Sequence, residues 1–491
     1  MRHRRRSGVG LLTVAAALSI ALMAVCGERP ALARGPSPSR LVEVWVTSGD
    51  GRERLARLDP IAIDKGAIEA LDIKVDPFRR YQAIEGFGAS FTDSSAWLLR
   101  NRLDSRQRSA LLRELFDPRT GLGLGLTRIT IGASDFSQSH YSYDDMPSGE
   151  VDPRLSRFSI APARVNVLPV VREAMSINGR LRVFASPWSA PGWMKTSGSM
   201  IKGKLSPEHY DAFARYLQRT VAEFGRESVP IYALSIQNEP DFQPENYPGM
   251  HMDASERAAF VGKHLGPLLA RTNPGVRILD WDHNWDQPQS PLAVLADPVA
   301  RKYVAGTAWH CYAGSVGAQS QVHDAHPDKE TWFTECAGGA WMPEWQKPLV
   351  WMTRNLIIGT VRNWAKGVIL WNIALDENDG PHLGGCGDCR GVVTIDQKTG
   401  TVTRNVEYYV LGHASRFVRP GARRIASDSG VDGLETVAFQ NPGKGKIVLI
   451  VLNTADHPRR FSAGVGANRF SSTLSAGSVA TYIWSGGRTR K

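Results

Sequence analysis

Two glutamates carry neighbours that suit chemistry. Glu239 lies in Ser235-Ile236-Gln237-Asn238-Glu239-Pro240 and Glu335 in Trp332-Phe333-Thr334-Glu335-Cys336. Each directly follows a short apolar run and is flanked by aromatic or amide residues. Two carboxyl groups about 5–5.5 Å apart can cleave a glycosidic bond with retention, one protonating the leaving oxygen while the other attacks the anomeric carbon. Taken alone, either Glu reads as a surface loop residue or an ion-pair partner. As a pair at the ends of two apolar strands they read as catalytic. Asn238 strengthens the case for Glu239, because an amide beside the acid can bind a sugar 2-OH.

The elements that must position them are legible in the alternation of the chain. Eight candidate strands run Ile84–Ala89, Leu126–Ile131, Leu181–Ala185, Ile231–Ile236, Val276–Trp281, Val304–Trp309, Thr331–Thr334 and Gly367–Trp371. Amphipathic stretches separate them. One starts at Ser206 as N-cap with Pro207 in the first turn, places Phe213, Leu217, Val221 and Phe224 on one face, and stops at Gly225. A second runs from Val350 to Trp364 and ends before Gly367. Eight strands alternating with helices indicate an α/β fold of the (β/α)8 TIM-barrel type, whose catalytic groups sit at the C-terminal ends of strands. A doubly wound sheet would want a Gly-rich phosphate loop after its first strand, and Gly86-Phe87-Gly88 lacks the third Gly. Glu239 closes the fourth strand and Glu335 the seventh, which a closed barrel is expected to set on opposite sides of its mouth.

The tail changes character. Leu434–Phe439, Lys446–Leu452 and Val479–Trp484 read as short strands separated by Gly, Asn and Pro turns, a small appended β-sandwich. Arg40–Val46 is also strand-like and is expected to join that sheet. The expected organisation is a signal peptide over 1–33, an N-terminal strand region over 34–78, the barrel over 79–415 and the sandwich over 416–491.

Composition excludes some classes. Apolar residues make up 42% and charged residues 22%, the balance of a folded protein. Residues 1–33 combine Arg2, Arg4, Arg5 and Arg6, the apolar run Val9–Val25 and Ala31-Leu32-Ala33, the pattern of a secretory signal. The run is at the short end of what spans a bilayer, so a membrane anchor is the alternative there; no stable insertion is expected after cleavage. That segment holds five Arg and one Glu, so the formal charge falls from +11 to +7 once it is gone. The remaining Lys and Arg are scattered rather than gathered in an aromatic-laced stripe, which argues against nucleic-acid binding. The product is expected to be secreted or periplasmic.

Four cysteines follow the signal. Cys386 and Cys389 in Gly384-Gly385-Cys386-Gly387-Asp388-Cys389 could be half a zinc site, a redox pair or a local disulfide. No second CxxC or paired His motif completes a four-ligand zinc site, and an exported protein favours the disulfide. Cys311 and Cys336 read as buried thiols. Neither metal nor cofactor is expected.

The chain resembles glycoside hydrolase family 30, the family of glucosylceramidase, over roughly Gln82 to Ala426. The motifs are Ile84-Glu85-Gly86-Phe87-Gly88 with Phe91-Thr92-Asp93, Arg128 with Ser134-Asp135-Phe136-Ser137, and Ala185-Ser186-Pro187-Trp188 through Trp193-Met194-Lys195-Thr196. Gln237-Asn238-Glu239-Pro240, Phe333-Thr334-Glu335-Cys336, Leu370-Trp371-Asn372-Ile373-Ala374-Leu375 and Tyr409-Val410-Leu411-Gly412-His413 continue the series. The resemblance implies Glu239 as acid/base and Glu335 as nucleophile. It implies that Asp135 and Trp188 grip the sugar, that Asn238 meets its 2-OH, that Trp371 walls the pocket, and that Arg128 positions the nucleophile. A guanidinium should keep Glu335 ionised, whereas Glu239 must hold a proton before the first step. Each secondary residue has a structural alternative: Asp135 as a turn residue capping Ser137, Trp188 and Trp371 as core. His310 and Tyr312, after the sixth strand, and Trp281 and His283, after the fifth, are further candidates that could equally be packing residues.

The sequence departs from animal glucosylceramidases in the loops Asp376–Arg390 and Pro244–Met250, which should border the leaving-group side. The expectation is a retaining β-glucosidase of the glucosylceramidase type, acting on a glycolipid or β-glucan. An endo-β-1,6-glucanase is the alternative, then a β-xylosidase or β-fucosidase, and from another class a non-catalytic sugar- or lipid-binding barrel.

Overall fold

The computed structural model describes residues 41–65, 68–443 and 445–486. The expected signal over 1–33 lies outside them. Eight parallel strands close into a barrel in chain order: β1 (Gly86–Ser90), β2 (Leu126–Ile131), β3 (Arg182–Pro187), β4 (Ile231–Ser235), β5 (Arg277–Trp285), β6 (Val304–Gly314), β7 (Glu330–Glu335) and β8 (Ala365–Asn372). Every one matches an expected strand. β2 is buried at all six positions, as expected where helices cover one face of a parallel sheet and the lumen fills the other.

The lumen is plugged by one apolar layer, Leu126, Phe184, Ala233, Leu279, Ala308, Trp332 and Ile369, one from each of seven strands. Side chains in a strand alternate, so the residue two positions on returns to the same face. That step leads from the plug to Arg128, Ser186, His310, Thr334 and Trp371, which form the next layer up. The floor of the barrel's C-terminal mouth is thus the period-two continuation of the hydrophobic plug.

Two elements differ locally from expectation. The helix expected from Ser206 opens with a 3-10 turn, Pro207–His209, before the α-helix Tyr210–Arg226, and the Ser206 side chain makes no capping bond. The helix expected from Val350 begins at Gln346, continues as a π-helix over Thr353–Gly359 and ends at Arg362. Strands four and seven are three apart around the ring rather than opposed, and β5 and β6 fill the arc between them.

The sandwich forms as expected from the tail, with Leu41–Thr47 paired antiparallel to Val479–Ser485. It holds more strands than the sequence suggested, including Ala422–Ser427, Arg459–Val465 and Asn468–Leu474. The long strand Asp72–Ile84 links its two parts, antiparallel to Ala422–Ser427 and parallel to Arg459–Val465, and so runs across position 79, where the sequence reading begins the barrel. Among the described residues no helix is long and apolar enough to cross a membrane.

Candidate active site

The C-terminal mouth of the barrel opens into a cavity of about 550 Å³, within the range of ligand clefts. Glu239 and Glu335 both line it, with Asp135, Trp188, Asn238, Tyr312 and Trp371. Both expected loops border it as well, through Pro244–Tyr247 and through Gly385, Cys386 and Cys389. Trp188 and Trp371 stack at 5.1 Å between ring centroids, 19° from parallel, and form a flat apolar wall suited to a sugar face.

Arg128 is buried behind that wall. Its guanidinium donates to Glu335 Oε2 at 2.5 Å, to Asn238 Oδ1 at 2.7 Å and to Asp282 Oδ2 at 2.7 Å. It also lies 4.8 Å from the Trp188 ring centroid and 5.5 Å from that of Trp371, close enough for cation–π attraction. One side chain therefore fixes the Glu335 carboxylate, the Asn238 amide and the aromatic wall together. The Tyr312 hydroxyl donates to Glu335 Oε1 at 3.0 Å.

Asp282, which the sequence reading passed over, is the hub of the site. It is fully buried and accepts from Arg128, from Ser186 Oγ at 2.8 Å and from Thr334 Oγ1 at 2.6 Å. Its Oδ1 also lies 3.1 Å from His310 Nε2. The available signal was a carboxylate directly after a strand destined for burial, a position charged residues avoid unless paired.

Trp281 is not part of the cavity. Alternation from Leu279 would turn it inward, but the pairing of β6 with β5 shifts register here, from Ala308↔Trp281 to Trp309↔His283. Trp281 and Asp282 both take positive φ, 75° and 49°. This bulge sends Trp281 into the surrounding core, where Arg257 lies 5.3 Å from its ring centroid, and brings Asp282 inward instead. Glu239 is strained in the same sense, with φ 46°, and its backbone N–H donates to Asp282 O at 3.1 Å. Such conformations cost about 1–3 kcal/mol each and persist where surrounding structure enforces them.

His310 Nδ1 lies 3.0 Å from Glu239 Oε1 and 4.0 Å from Glu335 Oε1. Burial alone would lower the imidazole, but Glu335, Asp282 and Glu239 together push it up to about 9, so it is cationic at neutral pH. The carboxylates respond in the opposite sense to the sequence expectation. Burial raises Glu335, the charges of Glu239 and Asp282 add to the rise, and His310 and Arg128 do not cancel it. Burial also acts on Glu239, but the hydrogen bond with His310 and the charges of His283 and His310 outweigh it and hold that carboxyl below its ordinary range. Between Glu239 and His310, the proton therefore rests on the imidazole. Asp135 is pushed up to about 8, by burial first and then by Glu335 and Glu239. It does not cap Ser137, whose hydroxyl donates to Asp93 Oδ2 at 2.6 Å.

Cys386 and Cys389 form the expected disulfide. Cys311 and Cys336 form a second one, where the sequence reading expected thiols. β6 and β7 are neighbours, and their ends bring these residues to a Cα separation of 5.5 Å, within bridging range.

Residues 84–418 match the glycosyl hydrolase family 30 TIM-barrel domain, and residues 421–482 match the family's β-sandwich domain. The chain is 34% identical over 432 residues to an endo-1,6-β-D-glucanase of Neurospora crassa, covering 84% of this chain and 88% of that protein. It is 28% identical to the lysosomal acid glucosylceramidase of Mus musculus, covering 85% of each. Among solved structures, an endo-β1,6-glucanase superposes with a TM-score of 0.84 at 31% identity, covering 91% of this chain and 99% of that one.

Proposed function

The chain belongs to glycosyl hydrolase family 30 and is a glycoside hydrolase, and from that premise we propose that it is an exported, retaining endo-β-1,6-glucanase. The observation that carries the mechanism is the junction at His310, with one oxygen of Glu239 and one of Glu335 at 3.0 and 4.0 Å from a single ring nitrogen. That closeness favours the ~5–5.5 Å spacing of retaining pairs over most of the ~6.5–9.5 Å range of inverting ones.

In the first step Glu335, oriented by Arg128 and Tyr312, attacks the anomeric carbon in its ionised form. Glu239 protonates the leaving oxygen with a proton that His310 supplies. Trp188 and Trp371 hold the sugar, and Asn238 meets its 2-OH. Glu239, ionised again, then takes a proton from water, and that water releases the glycosyl group from Glu335. Retention is the net result of the two displacements.

The β-1,6-glucan substrate is favoured by the higher identity to endo-1,6-glucanases, 34% against 28% for the lysosomal glucosylceramidase. The exposed aromatic rim of the cavity, Phe242, Tyr312 and Trp341, gives sugar rings beyond the cleaved bond a surface to stack on. The glucosylceramidase type expected first from sequence becomes the second reading. Product analysis on β-1,6-glucan and glucosylceramide side by side, with Glu335→Gln as control, tests the proposal. Oligosaccharides from the glucan are expected; glucose released from the lipid alone would overturn the endo-glucanase reading in favour of the second.

A further inference from the structure

The acid/base Glu239 has a second chemical neighbour that the hydrolytic cycle leaves unused. His283 Nδ1 lies 3.6 Å from Glu239 Oε1. This nitrogen is buried and has no hydrogen-bond partner, and the whole residue is only 7% exposed. A buried imidazole nitrogen without a partner is an unmet polar group in a protein that otherwise satisfies them. Its nearest carboxylate also faces His310 Nδ1 at 3.0 Å, and the ligand atoms of all three residues lie within 4.8 Å of one another.

We propose that Glu239, His283 and His310 form an inhibitory binding site for a borderline-soft divalent cation such as Zn²⁺ or Cu²⁺. Two imidazoles and one carboxylate are a ligand set used by open zinc sites, whose fourth position is left to water or substrate. Bonds of about 2.0–2.2 Å in a tetrahedron set neighbouring ligand atoms about 3.3–3.6 Å apart. The two measured spacings from Glu239, 3.0 and 3.6 Å, lie close to that edge; the two histidines must draw together to complete the triangle. His310 is already oriented for the task, because its other nitrogen meets Asp282 at 3.1 Å, the outer carboxylate that ligating histidines characteristically hold. Glu239 and His283 both line the cavity, so the open position faces the place of the leaving group.

Binding displaces the proton between His310 and Glu239 to solvent and occupies the oxygen that must act on the substrate. The ion is therefore an inhibitor and no part of the hydrolytic cycle. Imidazole donors select Zn²⁺ and Cu²⁺ over the oxygen-seeking Mg²⁺ and Ca²⁺.

The test is titration calorimetry of the full chain with ZnCl₂, with MgCl₂ as control, on wild type, His283→Ala and His283→Asn, each checked for an unchanged thermal melt. One-to-one Zn²⁺ binding reversed by EDTA, weakened at least about tenfold in both variants and absent with Mg²⁺, is expected, since losing an outer-shell partner alone costs 10–100-fold. Binding that survives in both variants, or no saturable binding to wild type, overturns the proposal. These readouts need no substrate, so they stand apart from the glucanase reading. Where an aryl β-glucoside is turned over, the inhibition constant should equal the calorimetric Kd, and inhibition that leaves His283→Asn as sensitive as wild type also overturns it.

Discussion

Arg128 and Asp282 face each other at 2.7 Å with both side chains fully buried. Neither lies on the cavity wall, yet between them they touch Glu335, Asn238, His310, Ser186 and Thr334. Breaking a buried pair strands a charge and costs about 3–5 kcal/mol. Asp282→Ala should therefore lower unfolding stability by about that amount, measured by chemical denaturation. Activity of the surviving folded fraction should fall as well, because Arg128 and His310 lose their orienting partner. A stability change under 1 kcal/mol would contradict the hub assignment.

Glu335→Gln should abolish turnover while the thermal melt stays near that of wild type. Glu239→Gln should behave differently with leaving groups of different basicity. With an activated aryl glycoside the first step survives and a burst appears, while the steady state slows by about 10²–10⁴, the usual yield of general acid–base catalysis. Stopped-flow kinetics with such a substrate checks both, and equal loss in both phases would argue against the assigned acid/base role.

Asp135 links protonation to stability. Its carboxyl titrates near 8 in the fold against 3.8 without it. A raised folded value means that the native state binds the proton more tightly, so the contribution is full below 3.8 and is lost as pH rises through about 8. Asp135→Asn removes that penalty. The variant should gain stability relative to wild type as pH rises from 4 toward 8 and above, while binding sugar more weakly. Denaturation midpoints across that range would show a flat difference if the carboxyl were already ionised in the fold.

His310 gives the alkaline side of activity. Its folded value near 9 lies above 6.5, so its proton is present through neutrality and leaves as pH rises through about 9. The kcat/KM profile should fall there, since Glu239 then lacks its proton source. A profile of His310→Gln that kept the same alkaline limb would assign that limb to another group.

The Cys311–Cys336 disulfide closes a loop of 25 residues, for which chain entropy implies about 3–4 kcal/mol. It also ties the end of β6 to the residue after Glu335. The double Ser variant should lose stability of that order, and catalysis on top of it. Removing Cys386–Cys389, a separation of 3, should cost far less stability and act on substrate affinity through the cavity wall. Melts and KM values of the two double variants separate these effects.

How much of this was legible in the sequence depends on the range of the interaction. Local pattern determined the eight barrel strands, the tail sandwich and the placing of Glu239 and Glu335 at strand ends, because alternation of apolar runs and helices is written residue by residue. The family motifs located Arg128, Asp135, Trp188, Asn238 and Trp371 around the same mouth. Tertiary structure decided the rest. A single register shift in β5 exchanged Trp281 for Asp282, since a period of two turns any one-residue bulge into a change of face. The Cys311–Cys336 bond follows from which strands are neighbours, and a separation of 25 positions along the chain says nothing of that. The resting place of the proton was likewise beyond the sequence: it is set by the summed fields of Arg128, Asp282, His283 and His310 at distances of a few ångströms, and only the closed barrel brings those four side chains, from three strands, together.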